Sequence, residues 1–323
     1  MANQIQVAEL GGAEVLQEVD QTIGAPPAGH VRVAIEASGV NFIDVYFRTG
    51  LYPRPLPFVS GLEGAGQILE VGPDVDRFVV GQRVAWSSVP GSYATEILAP
   101  AESLIPVPNS VSSEVAAAAM LQGMTAHYLV HACRETKPGE TALVHAAAGG
   151  VGLLLCQMLR TAGARVIGTC STEEKAALAR EAGAEQIIRY DQADVATETR
   201  VLTDQRGVDV VYDSVGQSTF EGSLASLRPR GLLCLYGQSS GPVPPFDLGR
   251  LNGLGSLVVT RPSLAHFTAN REELELRAGA VLSAIDAGDL KIRIGARFPL
   301  AEAAEAHRAL EGRRTTGKVL LIP

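Results

Sequence analysis

Cysteine is scarce in this chain: Cys133, Cys156, Cys170 and Cys234 lie far apart with no C-x-x-C pair. That spacing excludes a disulfide framework, and a free cysteine in an apolar helix or strand behaves as a small hydrophobe. Charge is also sparse, 19% of residues with a net −8 and no Lys/Arg block. This balance argues against a general affinity for nucleic acid or an anionic membrane and leaves room for a local basic pocket for phosphates. One tryptophan and 5% aromatics leave no aromatic-basic stripe for stacking single-stranded nucleic acid. No apolar run reaches the length of a membrane span. Residues 1–7 show no basic region followed by an apolar stretch, so no secretory signal is expected and a reducing cytoplasm is the expected location. What remains is 323 residues, 46% hydrophobic, the composition of a well-buried globule with two domains.

The texture changes along the chain. Up to about residue 120, short β-rich runs (Val31–Ala37, Ala65–Val71, Arg83–Trp86) sit between Gly and Pro clusters, which predicts a partly open barrel or sandwich. From Val115 an alanine-rich helix runs to about Cys133. Strands at 141–146, 165–170, 186–190, 208–213, 231–236 and 256–260 then alternate with helices at 150–162, 172–182 and 218–227. Alternation of this kind means a doubly wound parallel sheet with helices on both faces. After Arg261-Pro262 come helices near Arg271–Ala287 and Ala301–Glu311 and a closing strand, Lys318–Ile322. This tail cannot continue the alternation, so it is expected to return to the first domain.

The most informative segment is Thr141–Gly152, an apolar strand that breaks into glycines and then a helix. A glycine turn at a helix start offers backbone N–H groups and a positive dipole end to an anion. Missing side chains let a pyrophosphate approach the backbone. G-x-G-x-x-G falls on Ala147, Gly149 and Gly152, so alanine replaces the first glycine. The context supports a dinucleotide-binding unit all the same: strand before, helix after, second strand close behind.

The second strand decides between coenzymes. NAD enzymes place an acid at its end to accept from the ribose hydroxyls. Here Arg165–Cys170 is followed by Ser171, Thr172 and Lys175. Hydroxyl and ammonium suit a 2′-phosphate, so NADPH is expected rather than NADH. Ser171-Thr172-Glu173-Glu174 also reads as a capping box with Ser171 as N-cap. Tyr190 at the third strand end is placed to lie against adenine or reach the phosphate. The turns at Asp213–Gly216 and Gly237–Gly241 are expected beside the nicotinamide, because ligands bind outside the carboxyl ends of such strands.

Several motifs agree with one family. Asn41-Phe42-Ile43-Asp44-Val45-Tyr46, Arg48–Pro53, Gly61-Leu62-Glu63-Gly64-Ala65-Gly66, His145–Gly152, Val211–Gly216, Thr260–Leu264 and Gly317-Lys318 resemble the medium-chain dehydrogenase/reductases, specifically the zinc-free quinone oxidoreductases related to zeta-crystallin. The resemblance implies an α/β protein: a GroES-like β-rich catalytic domain (1–122 and 266–323) around an inserted Rossmann NADPH-binding domain (123–265). It implies a homodimer joined through the Rossmann domains with Gly255–Thr260 as the edge strand, and a small-molecule quinone or enone substrate. Asn41, Tyr46, Tyr52 and Thr125 would surround the nicotinamide and substrate. The resemblance carries Asn41, Phe42, Tyr46, Thr125, Tyr128, Gly149, Gly150, Val151, Ser171, Thr172, Lys175, Tyr190, Ser214, Val215, Gly237, Gln238, Ser239, Ser240, Pro262, Ser263, Leu264 and Arg313 over to the coenzyme. Arg313 also suits a helix C-terminus.

No metal is expected. Zinc-dependent relatives use a cysteine in the first-domain loop and a Gly-His-Glu motif, where this chain has Asn41 and Leu62, and an amide and a leucine supply neither thiolate nor imidazole. His127 and His131 share a helix face without a third ligand. Asn41 and Thr125 are expected to fix the carboxamide or the acceptor oxygen, and Tyr46 and Tyr52 to stack on a flat quinone and polarise its carbonyl. Asp44 is expected to hold its loop through local hydrogen bonds. No residue stands out as a general acid, and a reduced quinone can take its proton from water. The expected function is NADPH-dependent quinone reduction, by hydride or one-electron steps. Alkenal or enoyl reduction on the same scaffold is the alternative, and a crystallin-like or RNA-binding role is the third.

Overall fold

The computed structural model describes residues 2–323. They fall into two compact units, residues 2–124 with Thr268–Pro323, and Thr125–Phe267.

The first unit opens with strands absent from the sequence reading: β1 (Ala2–Val7) pairs antiparallel with β2 (Leu16–Gln21). The long β3 (His30–Val40) alternates buried and half-buried residues, as a strand with one covered face must. A helix, α1 (Phe42–Arg48), follows directly. The sequence reading placed a loop here, but Asp44 at the third helical position accepts from the Asn41 N–H at 2.9 Å and closes the first turn. Next come β4 (Phe58–Val59), β5 (Glu63–Val71), β6 (Arg83–Trp86), β7 (Glu96–Pro100) and β8 (Ile105–Pro106). The alanine-rich helix is α2 (Ser113–His131).

The second unit alternates as expected: β9 (Thr141–Val144), α3 (Gly150–Thr161), β10 (Arg165–Cys170), α4 (Glu173–Ala182), β11 (Gln186–Arg189), α5 (Val195–Leu202), β12 (Val208–Asp213), α6 (Phe220–Ser226), β13 (Leu227–Leu235), α7 (Gly249–Gly253), β14 (Val258–Thr260) and α8 (Leu264–Phe267). The six strands lie parallel in the order β11-β10-β9-β12-β13-β14. Central β9 is buried at every residue, as a strand covered on both faces requires. Several details differ from the sequence reading, which also lacked the short α7 and α8. Helix α5 was not anticipated; its Asp194 N-cap accepts from the Thr197 N–H at 2.8 Å, and at eight residues it is a short segment. β13 begins four residues early, across a left-handed Arg230. β14 is only three residues long.

The chain then returns to the first unit through α9 (Arg271–Asp286), β15 (Ile294–Pro299), α10 (Ala303–Glu311) and β16 (Lys318–Ile322). β16 lies between β15 and β3, within the sheet order β15-β16-β3-β5-β6-β8, and β7 also pairs with β3. The tail therefore completes the first sheet. Its core contains Ile5, Val40, Tyr93, Leu300, Val319 and Leu321.

Candidate active site

The glycine turn of the second unit is built by close packing. A Cβ on Gly152 would lie 2.3 Å from the Ala146 carbonyl oxygen, so only glycine fits there. Ala147 stands where the fingerprint has its first glycine, and the neighbouring strand compensates. A Cβ on Gly168 would lie 2.8 Å from the Ala147 Cβ, so the missing methyl of one residue makes room for the other. Gly150, Val151 and Gly152 open α3, and the N–H groups of a first turn have no carbonyl four residues back. With Gly149 as N-cap, these residues open the helix with backbone N–H groups that no preceding turn engages.

Behind the turn lies a buried polar web. Ser223 Oγ donates to Asp213 Oδ2 at 2.7 Å and lies 3.0 Å from His145 Nε2, while His145 Nδ1 is 3.2 Å from Thr169 Oγ1. Burial holds the His145 imidazole below its ordinary range despite nearby Asp213. Asp213 Oδ1 accepts from the Val215 and Gly216 N–H groups at 2.8 and 3.1 Å. One carboxylate thereby fixes the turn after β12. The next turn is zipped to it, Ser239 N–H to Ser214 O at 3.1 Å and Ser240 N–H to Val215 O at 2.8 Å. Ser214, Val215, Gly237, Gln238, Ser239 and Ser240 are thus brought together at adjacent strand ends.

At the end of β10 no carboxylate is offered to a ribose. The N-cap is Thr172, whose Oγ1 accepts from the Lys175 N–H at 3.2 Å, so the cap expected at Ser171 falls one residue later. The helix closes on Gly183, left-handed at φ 117°. Tyr190 N–H donates to Cys170 O at 3.2 Å, which sets Tyr190 beside Ser171 at the same sheet end. Glu173 is drawn off by Arg180 at 2.6 Å.

Arg189, the last residue of β11 and the register partner of Cys170, stands at the same sheet end. Its guanidinium holds Asp191 through bonds of 2.9 and 2.7 Å and lies 3.8 Å from Glu173. The other expected coenzyme residues of this unit are dispersed. Thr125 and Tyr128 are buried in α2, the Tyr128 ring stacked on Phe267 at 4.3 Å. Pro262 to Leu264 lead into the short α8.

In the first unit Asn41 is the centre of a buried network. Its Nδ2 donates to Glu63 Oε2 at 2.8 Å and to Gly39 O at 3.2 Å. Its Oδ1 accepts from Lys318 Nζ at 2.8 Å and from Gln122 Nε2 at 3.3 Å. Lys318 also forms an ion pair with Glu63, both fully buried, and Glu63 Oε1 accepts from the Leu121 N–H at 2.6 Å. An amide has two hydrogens and two acceptor positions. All four are used, so the ligand-binding role expected of Asn41 requires one of these bonds to break.

Tyr46 and Tyr52 form an edge-on pair with centroids 5.2 Å apart, and Phe42 lies 6.2 Å from Tyr46. Arg313 is exposed just after α10, left-handed at φ 55°. Asp44 is buried and accepts from Tyr93 Oη at 2.9 Å; Tyr93 Oη lies 3.2 Å from His307 Nε2. Arg48 reaches His307 Nδ1 at 3.2 Å and clasps Glu311 at 2.8 and 3.0 Å. Among the described residues, no group of three His, Cys, Asp or Glu side chains is placed to hold a metal ion, and no helix is long and apolar enough to cross a membrane.

A doubly wound parallel sheet with a glycine turn at its switch point, in a chain with a separate β-rich unit, defines a dinucleotide-binding oxidoreductase scaffold. Two family models match: "Alcohol dehydrogenase GroES-like domain" over residues 27–109 and "Zinc-binding dehydrogenase" over 150–277. A Pseudomonas aeruginosa quinone oxidoreductase is 47% identical, with 100% of each chain covered. A Burkholderia 2-haloacrylate reductase is 44% identical, covering 97% of this chain and 96% of its own. The Escherichia coli quinone oxidoreductase solved with NADPH is 43% identical with a TM-score of 0.97, covering 99% of this chain and 100% of that one. The chain belongs to the quinone oxidoreductase family of the medium-chain dehydrogenase/reductases.

Proposed function

We propose that this chain reduces quinones with NADPH and without a bound metal. The observation that carries the reading is the acid-free end of β10, where Thr172 and Lys175 stand in place of the carboxylate that would select NADH. Its support is the likeness, end to end, to quinone oxidoreductases, one of them solved with NADPH, and to a mycobacterial protein also solved with NADPH. The coenzyme supplies reducing equivalents when bound. Gly149, Gly150 and Val151 would hold its pyrophosphate, Ser171, Thr172, Lys175 and Tyr190 its adenosine phosphate, and the 214–215 and 237–240 turns its nicotinamide half. Thr125, Tyr46 and Tyr52 would line the acceptor position, the tyrosines giving flat apolar contact and a hydroxyl. Tyr128, Pro262, Ser263, Leu264 and Arg313 complete the proposed set.

In this reading residues 1–122 and 266–323 are the catalytic domain and 123–265 the coenzyme domain. The protein is cytoplasmic and dimeric, joined along β14. The residue types argue for metal-free chemistry, since Asn41 and Leu62 offer an amide and a hydrocarbon where zinc enzymes need thiolate and imidazole. A second reading, reduction of an activated alkene, is favoured by the 2-haloacrylate reductase relative. Steady-state turnover of 1,4-benzoquinone, 9,10-phenanthrenequinone and an alkenal, each with NADPH and NADH, separates them. Faster turnover of the quinones with NADPH is expected; a preference for NADH or for the alkenal overturns the first reading.

A further inference from the structure

Asn41 cannot both stay in its network and bind a ligand, yet the network leads outward to a residue that can. Gln122, half-buried on α2, gives one Nε2 hydrogen to Asn41 Oδ1 at 3.3 Å. Among the described residues its second amide hydrogen and its Oε1 have no protein partner. We propose that Gln122 donates this second N–H to the carbonyl oxygen of the electron acceptor, and that Asn41, Glu63 and Lys318 are positioning residues that aim it.

The anchor is unusually rigid for a polar group. Lys318, Glu63 and Asn41 are exposed by 1%, 0% and 4%. They come from β16, β5 and the β3–α1 junction, with Glu63 also gripping the α2 backbone at Leu121. A buried ion pair adds little net stability, because desolvation offsets attraction; what it does supply is fixed geometry. The amide orientation of Asn41 follows from that pair, since only its oxygen can face the Lys318 ammonium and only its nitrogen the Glu63 carboxylate. Asn41 Oδ1 then presents an acceptor to Gln122, which turns the Gln122 nitrogen inward and leaves one hydrogen for a ligand.

The chemistry needs such a donor. This inference rests on the quinone-reductase reading above. A hydride from bound NADPH, carrying two electrons and one proton, would reduce the acceptor and leave NADP⁺, and a proton from water, releasing hydroxide, would complete the hydroquinone. Negative charge grows on the carbonyl oxygen before that proton arrives, and a fixed N–H there stabilises the transition state more than the ground state. Gln122 loses no proton in this step.

The test is a series at one position: Gln122→Lys keeps a donor, while Gln122→Met and Gln122→Glu do not at neutral pH. With 9,10-phenanthrenequinone, kcat is expected to fall about ten- to hundredfold in the Met and Glu variants and by no more than about threefold in the Lys variant. NADPH Kd, by coenzyme fluorescence, and Tm are expected to match the parent. Met activity equal to the parent, or loss in Lys equal to that in Met, overturns the proposal. So does a fall traced to weaker NADPH binding. If the parent itself fails to bind NADPH or reduce quinones, the functional reading fails instead.

Discussion

Burial moves two ionisable side chains of the first unit in opposite directions. The Asp44 carboxyl is pushed up to about 7 by desolvation and by neighbouring Glu63, against the pull of the Asn41 N–H, Tyr93 and Lys318. His307 is pushed down to about 3 by burial and by the Arg48 guanidinium. Between pH 3.8 and about 7 the folded chain holds a proton on Asp44 that the unfolded chain has lost, so this contribution is complete below pH 3.8 and disappears as pH rises through about 7. His307 acts the other way: its contribution is complete above pH 6.5 and disappears as pH falls towards about 3. Asp44→Asn, which cannot ionise, is therefore expected to remove a downward slope of up to about 1.4 kcal/mol per pH unit. Urea unfolding at pH 5, 6 and 7 checks it; a stability difference from the parent that does not change with pH contradicts the assignment. The Asp44 contacts were partly legible in sequence, as a polar residue bonding locally, but its partners Tyr93 and His307 lie far off in the chain and no local pattern announces them.

Lys175 belongs to the same scale. Lys175→Ala is expected to weaken NADPH binding by about ten- to hundredfold and to leave NADH nearly unchanged. Equal losses for both coenzymes, by calorimetry, would place Lys175 outside the phosphate site. The absent acid made this position readable. Arg189 stands at the same sheet end because the parallel register sets it opposite Cys170.

Among the elements, the strand–turn–helix at β9 and α3 was the clearest in sequence. Its glycines, the apolar run before them and the helix after all point to one geometry. The departure at Ala147 became intelligible only with the neighbouring strand in view, since Gly168 is what makes the alanine tolerable. Gly152→Ala is expected to cost about 1–3 kcal/mol through overpacking against the Ala146 carbonyl, with a lowered Tm and weakened NADPH binding. An unchanged thermal transition would show that the turn relaxes without cost. Helix α1 and strands β1 and β2 escaped sequence reading for a plain reason: short segments set by capping and strand pairing carry weak periodicity.

For the molecule as a whole, alternation of strands and helices foretold the parallel sheet and its doubly wound order. It did not fix the length of the outermost strand. β14 is three residues long, and Val258 in it is 52% exposed, an apolar edge that a second copy would cover. Val258→Asp is expected to halve the mass measured by light scattering after size exclusion, with NADPH binding retained. A parent protein already monomeric at micromolar concentration removes the proposed dimer.

The place of β16 bears on how the molecule is made. Residues 125–267 form a compact unit from one uninterrupted stretch, so a ribosome delivers all of it before β16. The sheet containing β3 has no such independence: its neighbour β16 brings the cation for Glu63, Lys318, 255 residues further along the chain. The nascent polypeptide can pair β3 with β5 and β7 early, but the Ser38–Val40 edge must wait for β16, and a premature stop before Lys318 would leave a buried carboxylate stranded in a half-assembled fold.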